Sequence, residues 1–217
     1  MFSLRESKMQ HTKWQKHRRS AQIFGVVLLA GLSSTYPQVQ SVSACPLNYS
    51  FWNDSTQLGT AFELDPDPVE LGLRFRSDED GEISAIRFYR AVPIESGYKV
   101  NLWSATGELL GSGMAVEGQG PTPGWQTIQL YPPVTIQANK YYVASYYASR
   151  GTYSVTENFF TNAGVNNGPL RAPRDGEDGS TGVYSYSIGG GFPTQTYRGS
   201  NYWVDVVFKP NSSTQHE

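Results

Sequence analysis

The sequence predicts an all-β protein, a two-sheet antiparallel β-sandwich of jelly-roll type. Three observations carry this expectation. Beyond about residue 45 the apolar residues recur with a period of two, as in Val69, Leu71, Leu73 and Phe75 alternating with Glu70, Gly72, Arg74 and Arg76. Turn signals such as ATG, GQGPTPG and ANK separate these runs at short intervals. No stretch of the body keeps a helical apolar stripe for three turns.

The first 44 residues precede this pattern and read in three zones. A basic stretch ends at Arg18-Arg19, an apolar run spans Ala21 to Leu32, and a polar stretch closes with Val42-Ser43-Ala44. The run is far shorter than the ~20 residues that cross a bilayer, and small residues stand at the −3 and −1 positions of a cleavage site. Residues 1–44 are therefore expected to be a secretory signal peptide, cut after Ala44. Cys45 would then begin the mature chain. It is the one cysteine of the sequence, so an intramolecular disulfide is excluded. Val-Ser-Ala-Cys resembles a lipobox, but the polar stretch separates it from the apolar run. A soluble extracellular or envelope form is expected, and a membrane would be a partner only through lipidated Cys45.

Residues 45–210 form the expected sandwich module. Val69 to Phe75 leads through Ser77-Asp78-Glu79-Asp80-Gly81 into EISAIRFYR, which reads as a hairpin. Further strands are expected in YKVNLWS (Tyr98 to Ser104), ELLGSGMAV (Glu108 to Val116), WQTIQL (Trp125 to Leu130), VTIQA (Val134 to Ala138) and YYVASYY (Tyr141 to Tyr147). VYSYSI (Val183 to Ile188) and YWVDVVF (Tyr202 to Phe208) complete the set. Phe51-Trp52 is expected to lie close to that last strand, which would bring the ends of the module together. From Thr161 to Asn201 only one credible strand interrupts a loop rich in aromatic residues and proline, a composition that argues for order. Residues 211–217 are a polar tail.

Charge and histidine usage exclude several classes. The chain carries 17 Lys and Arg against 19 Asp and Glu, but six of the bases fall in the first 44 residues with a single acid. The remaining 173 residues hold 11 bases and 18 acids, a net charge of −7 with the bases scattered. No clustered positive face is available for a phosphate backbone, so nucleic acid is not an expected partner. The three histidines are His11, His17 and His216, none inside the module. A Ser-His-Asp triad, a Cys-His pair and His-ligated zinc are thereby excluded from it. The Gly189-Gly190-Gly191 run lacks the Lys-Ser/Thr of a phosphate loop and reads as a bend.

The ordered blocks VELGLRF, DGEISAIRFYR, NLWSATGELL, GWQTIQL, YYVASYYASRGTYS, NFF, GVYSYSIGGGFPTQTY and NYWVDVVF together resemble the family catalogued as domain of unknown function 4082. The resemblance spans roughly Cys45 to Phe208. It implies a β-sandwich in a secreted bacterial setting, often beside immunoglobulin-like, fibronectin-like or carbohydrate-active domains, and it supports binding or display by association alone. The chain departs from the family pattern at three places. Leu47 stands where a second cysteine often follows Cys45-Pro46, and the positions where histidine is common here hold Tyr147 and Thr152. The module is also expected to stand alone, with the polar tail after Lys209-Pro210.

Aromatic residues out of phase with their strand's aliphatic face are the binding candidates. Trp103 opposes Val100 and Leu102, Trp125 opposes Ile128 and Leu130, and Trp203 opposes Val204, Val206 and Phe208. On one exposed surface these rings would form a platform for the apolar face of a sugar; buried apart they are core. With Tyr147, Tyr153 and Arg171 they make up the candidate ligand-binding set. Catalytic residues are not expected, since without histidine the remaining routes are paired carboxylates or Tyr with Arg or Lys. No EF-hand spacing occurs among the acids of residues 65–70, 78–82 and 175–178. A structural calcium held by separate loops is the one cofactor the sequence leaves open, and no metal site is assigned. The expected function is a secreted, non-catalytic module for a polysaccharide or cell-surface ligand. The alternative is a structural or adhesive module of the envelope, and a polysaccharide-active enzyme comes third.

Overall fold

The computed structural model describes residues 48–56, 58, 62–93, 98–115 and 120–211. The expected signal peptide, Cys45 with its lipobox-like context, and residues 212–217 lie outside the described residues. Twelve strands are present: β1 Phe62–Leu64, β2 Val69–Ser77, β3 Gly81–Arg90, β4 Tyr98–Ser104, β5 Leu109–Met114 and β6 Gly124–Ile136. They continue with β7 Tyr141–Ala148, β8 Thr152–Ser154, β9 Val165–Asn167, β10 Leu170–Ala172, β11 Gly182–Tyr186 and β12 Val204–Pro210. No helix occurs among the described residues.

Two antiparallel sheets face each other. The larger has the order β5-β4-β7-β2, and the free edge of β2 carries β11 at its start and β10, followed by β9, at its end. The smaller is β12-β3-β6, and Tyr49 bridges to Phe208 on the outer edge of β12. β1 pairs with β8 as a short separate ribbon. In chain order, the Tyr49 segment belongs to the small sheet, β2 to the large, β3 to the small, β4 and β5 to the large. β6 returns to the small sheet, β7 to the large and β12 to the small. This alternation is the winding of a jelly roll.

One expected pairing is corrected. β2 and β3 do not form a hairpin, because β2 pairs with β7 in the large sheet whereas β3 pairs with β6 and β12 in the small one. The turn at residues 78–80 carries the chain across the sandwich. A local turn signal fixes where the chain reverses, but the pairing goes to strands that bury the same apolar face. WQTIQL and VTIQA also merge into the single strand β6. Opposite it the register of β3 slips between Ile83 and Ala85, and Pro132 and Pro133 fall in the stretch that this slip leaves unpaired.

The core lies between the sheets. Phe75, Ile83, Ile86, Phe88, Leu102, Leu130, Ile136, Tyr146, Val206 and Phe208 are fully or almost fully enclosed there. Phe88 stacks on Tyr146 with ring centroids 4.5 Å apart, and Tyr98 closes on both. The faces turned away from this core carry Trp103, Trp125 and Trp203.

Candidate functional site

Three aromatic assemblies divide the sequence's aromatic candidates between them, two outside the main core and one opening beside it. On the outer face of the large sheet, Trp103 packs with Val143, Val183 and Phe192. Phe192 belongs to the loop that follows β11, which lies across the sheet, and its ring centroid is 5.9 Å from that of Trp103. Beneath this loop sits Glu70, wholly enclosed. Asn101 Nδ2 donates to Glu70 Oε1 at 2.8 Å, Ser145 Oγ donates to the same oxygen, and Trp103 Nε1 donates to Ser145 Oγ at 2.8 Å. Burial pushes the Glu70 carboxyl up, against the opposing pull of those hydrogen bonds. Its second oxygen is turned to Gly190, where an added Cβ would come within 2.5 Å of it. Tyr147 flanks the same turn, its hydroxyl accepting from Gly189 N at 2.9 Å.

The second assembly covers the outer face of the small sheet. Trp52 stacks on Trp125 at 5.9 Å and tilts against Trp203 at 5.2 Å, while Tyr89 and Phe159 add edge contacts. Trp125 Nε1 donates to the carbonyl of Thr56 and Trp203 Nε1 to Thr156 Oγ1, so neither indole presents a free donor. Arg87 lies under this layer with its guanidinium 4.8 Å from the Trp125 ring, paired with exposed Asp54 and enclosed Asp205.

Trp103, Trp125 and Trp203 therefore do not share a surface. They are 9%, 7% and 7% exposed, and Trp103 belongs to a different sheet from the other two. Trp103 and Trp125 face away from the core as the alternation predicts, whereas Trp203 precedes β12 with a φ of +54°; each outer face is itself covered by a loop or by the N-terminal segment, so no stacking platform results. Arg171 also sits in a structural setting: its Nη2 pairs with Asp78 at 2.5 Å, and its Nη1 donates to the carbonyls of Gly168 and Leu170. Among the described residues, no three His, Cys, Asp or Glu side chains are grouped so as to hold a metal.

The third assembly is a cavity, and it contains Tyr153. β11 pairs with β2 so that Tyr184 lies opposite Leu71 and Tyr186 opposite Val69. Cross-strand partners point to the same face, so both phenols project to the interior side of the sheet. There they meet Tyr153 from β8 and Tyr202 from the segment before β12: the centroids of Tyr184 and Tyr202 are 6.2 Å apart, and those of Tyr153 and Tyr202 6.0 Å, both edge-on. Tyr197 and Val155 complete the walls of a space of about 370 Å³ floored by Val69 and Leu71. Such a volume is in the range of small-ligand sites.

Acids rim this cavity. Glu63 lies directly opposite Tyr153 in the β1–β8 ribbon, and Glu157 also lines the wall. The Tyr186 hydroxyl donates to Asp65 Oδ2, and Arg198 Nη1 holds Glu157 Oε2 at 2.7 Å while its guanidinium lies 4.9 Å from the Tyr197 ring. Burial, followed by the fields of Asp65 and Glu63, pushes the Tyr153 phenol up to about 12. The hydrogen bond to Asp65 raises Tyr186, and burial raises Tyr202. These three phenols stay neutral at ordinary pH and serve as hydroxyl donors and π faces, not as bases. Tyr186 and Tyr197 are 48% and 46% exposed, which leaves the cavity's mouth open to solvent.

Of the sequence candidates, only Tyr153 reaches this cavity. Tyr184, Tyr186, Tyr197, Tyr202, Glu63 and Glu157 were not singled out. The Tyr-Ser-Tyr alternation of β11 was the available signal, since it puts two phenols on one face. No curated protein matches the chain. Residues 55–204, which include β1 to β11 and the whole tyrosine cavity, match the family described as domain of unknown function DUF4082, and the chain belongs to it.

Proposed function

We propose that the chain is a secreted, non-catalytic β-sandwich module that binds a glycan or another cell-surface polymer, and that the tyrosine cavity is where it does so. The supporting observation is the cavity itself, in which five tyrosines surround about 370 Å³ that opens to solvent. Phenol rings offer flat apolar faces for a sugar ring, and their neutral hydroxyls offer donors and acceptors for its hydroxyl groups. Glu63 and Glu157 supply charged acceptors at the rim. The basic and apolar leader of residues 1–44 supports export.

The test is a broad glycan array with polysaccharide affinity gels, run on the full chain and on two variants. Tyr184→Ala is expected to weaken binding by about tenfold or more, the size of an aromatic anchor's truncation. Trp103→Ala is expected to lower thermal stability and leave binding intact. Absence of binding to every polysaccharide, or loss with Trp103→Ala and not with Tyr184→Ala, sinks this reading.

A further inference from the structure

The charges around the tyrosine cavity restrict what it accepts. Glu63 and Glu157 line it and no lysine or arginine does, among the described residues. Asp65 stands just behind, fixed by the Tyr186 hydroxyl. Arg198, beside the wall, is engaged twice, by Glu157 and by the ring of Tyr197. Five aromatic rings under an excess of carboxylates make a site that is electronegative in two ways, since the face of each ring carries negative charge as well. A neutral sugar gains little from that field and an acidic one is repelled. An alkylammonium group gains from both parts of it.

We infer that the cavity takes a positively charged alkylammonium group, resting on the reading above that the cavity is the polymer-binding site. The carrier that unites the two is a glycan with free amines, an amino-sugar polymer that has lost its N-acetyl groups. Tyr184, Tyr202 and Tyr153, packed edge to face, would surround the ammonium, while Glu63 and Glu157 would hold it from the rim. Hydroxyls of the same sugar would meet the phenols of Tyr186 and Tyr197 at the mouth.

Titration calorimetry on the full chain tests this with three probes: a glucosamine hexamer, an N-acetylglucosamine hexamer of equal length, and tetramethylammonium. The free-amine hexamer is expected to bind on the order of tenfold more tightly than its acetylated partner, an increment typical of a desolvated cation over aromatic rings. Glu63→Gln, an exposed change with the fold checked by near-ultraviolet circular dichroism, is expected to reduce that ratio toward one. Equal or tighter binding of the acetylated hexamer overturns the inference while glycan binding stands. Binding of tetramethylammonium with neither hexamer supports cation recognition and removes the glycan as its carrier. If none of the three probes binds, the inference fails.

Discussion

Asp205 sits wholly out of solvent in β12, accepting from the backbone N–H of Phe51 at 2.7 Å, of Trp52 at 3.3 Å and of Val206 at 2.7 Å, with Arg87 Nη1 3.4 Å away. These partners favour its charge, yet burial outweighs them and pushes the carboxyl to about 6, above the 3.8 of a free aspartate. A proton therefore binds the folded chain more tightly than the unfolded one, so the stability linked to this group is complete below about pH 4 and is lost as pH rises through about 6. The full difference is about 3 kcal/mol at 1.36 kcal/mol per pH unit. Urea unfolding at acid and neutral pH measures it, and Asp205→Asn is expected to flatten that part of the dependence. Asp205→Ala instead strands Arg87 under the Trp125 ring with only exposed Asp54 as its charge partner. A loss of about 3 to 5 kcal/mol in the same experiment is expected. Glu70 differs in that its acceptor role can be kept without charge. Glu70→Gln retains an oxygen for Asn101 and Ser145 and removes a buried negative charge, so stability at neutral pH is expected to hold or rise by about 1 kcal/mol. Glu70→Ala leaves Asn101 Nδ2 unmet and Ser145 Oγ with only the Asn101 carbonyl at 3.5 Å, and is expected to cost about 2 kcal/mol, read from the chemical denaturation midpoint.

At the scale of elements, β11 decides whether the cavity exists, and a glycine decides whether β11 can dock. A Cβ at Gly182 would lie 1.7 Å from the carbonyl oxygen of Ser200, a backbone atom that cannot step aside. Gly182→Ala is expected to pull β11 off β2 and abolish binding at the cavity, with a fall in melting temperature. Gly176→Ala serves as contrast: nothing lies within 4 Å of an added Cβ, and only its φ of +80° opposes the change, at a cost of about 1 kcal/mol. The longer strands were legible in the sequence because each buries one apolar row: β2, β3, β4, β7 and β12 coincide with alternating runs to within a few residues. β1, β8, β9 and β10 span three residues each, too few for alternation to stand out, and they are held by pairing to neighbours that the sequence does not disclose. The Trp residues were rightly turned from the core. What covers them, Phe192 for Trp103 and Trp52 for Trp125, comes from segments remote in sequence. The cavity was illegible for the same reason, since its five tyrosines come from β8, β11 and the connections around residues 197 and 202.

At the scale of the molecule, the two sides of the large sheet are built differently. Gly111 and Gly113 let β5 lie directly against β6, for a Cβ at either would come within 2.7 Å of Val134 or Ile128. β2, at the other side of the large sheet, carries β11 as an added strip, and the cavity lies where Tyr153 and Tyr202 stand against it. A Gly113→Val change is expected to lower stability without altering which ligand binds, checked by thermal melting beside calorimetry.

The bridge between Tyr49 and Phe208 fixes how the module would behave under tension. Tyr49 N donates to the Phe208 carbonyl at 2.7 Å and Phe208 N to the Tyr49 carbonyl at 2.8 Å, so the chain enters at Asn48 beside the point where it leaves after Pro210. Pulling on the two flanking segments would peel these antiparallel neighbours apart one hydrogen bond at a time, not shear them together. A domain loaded in that way yields at low force. Its geometry suits a pendant and not a link that carries strain from end to end.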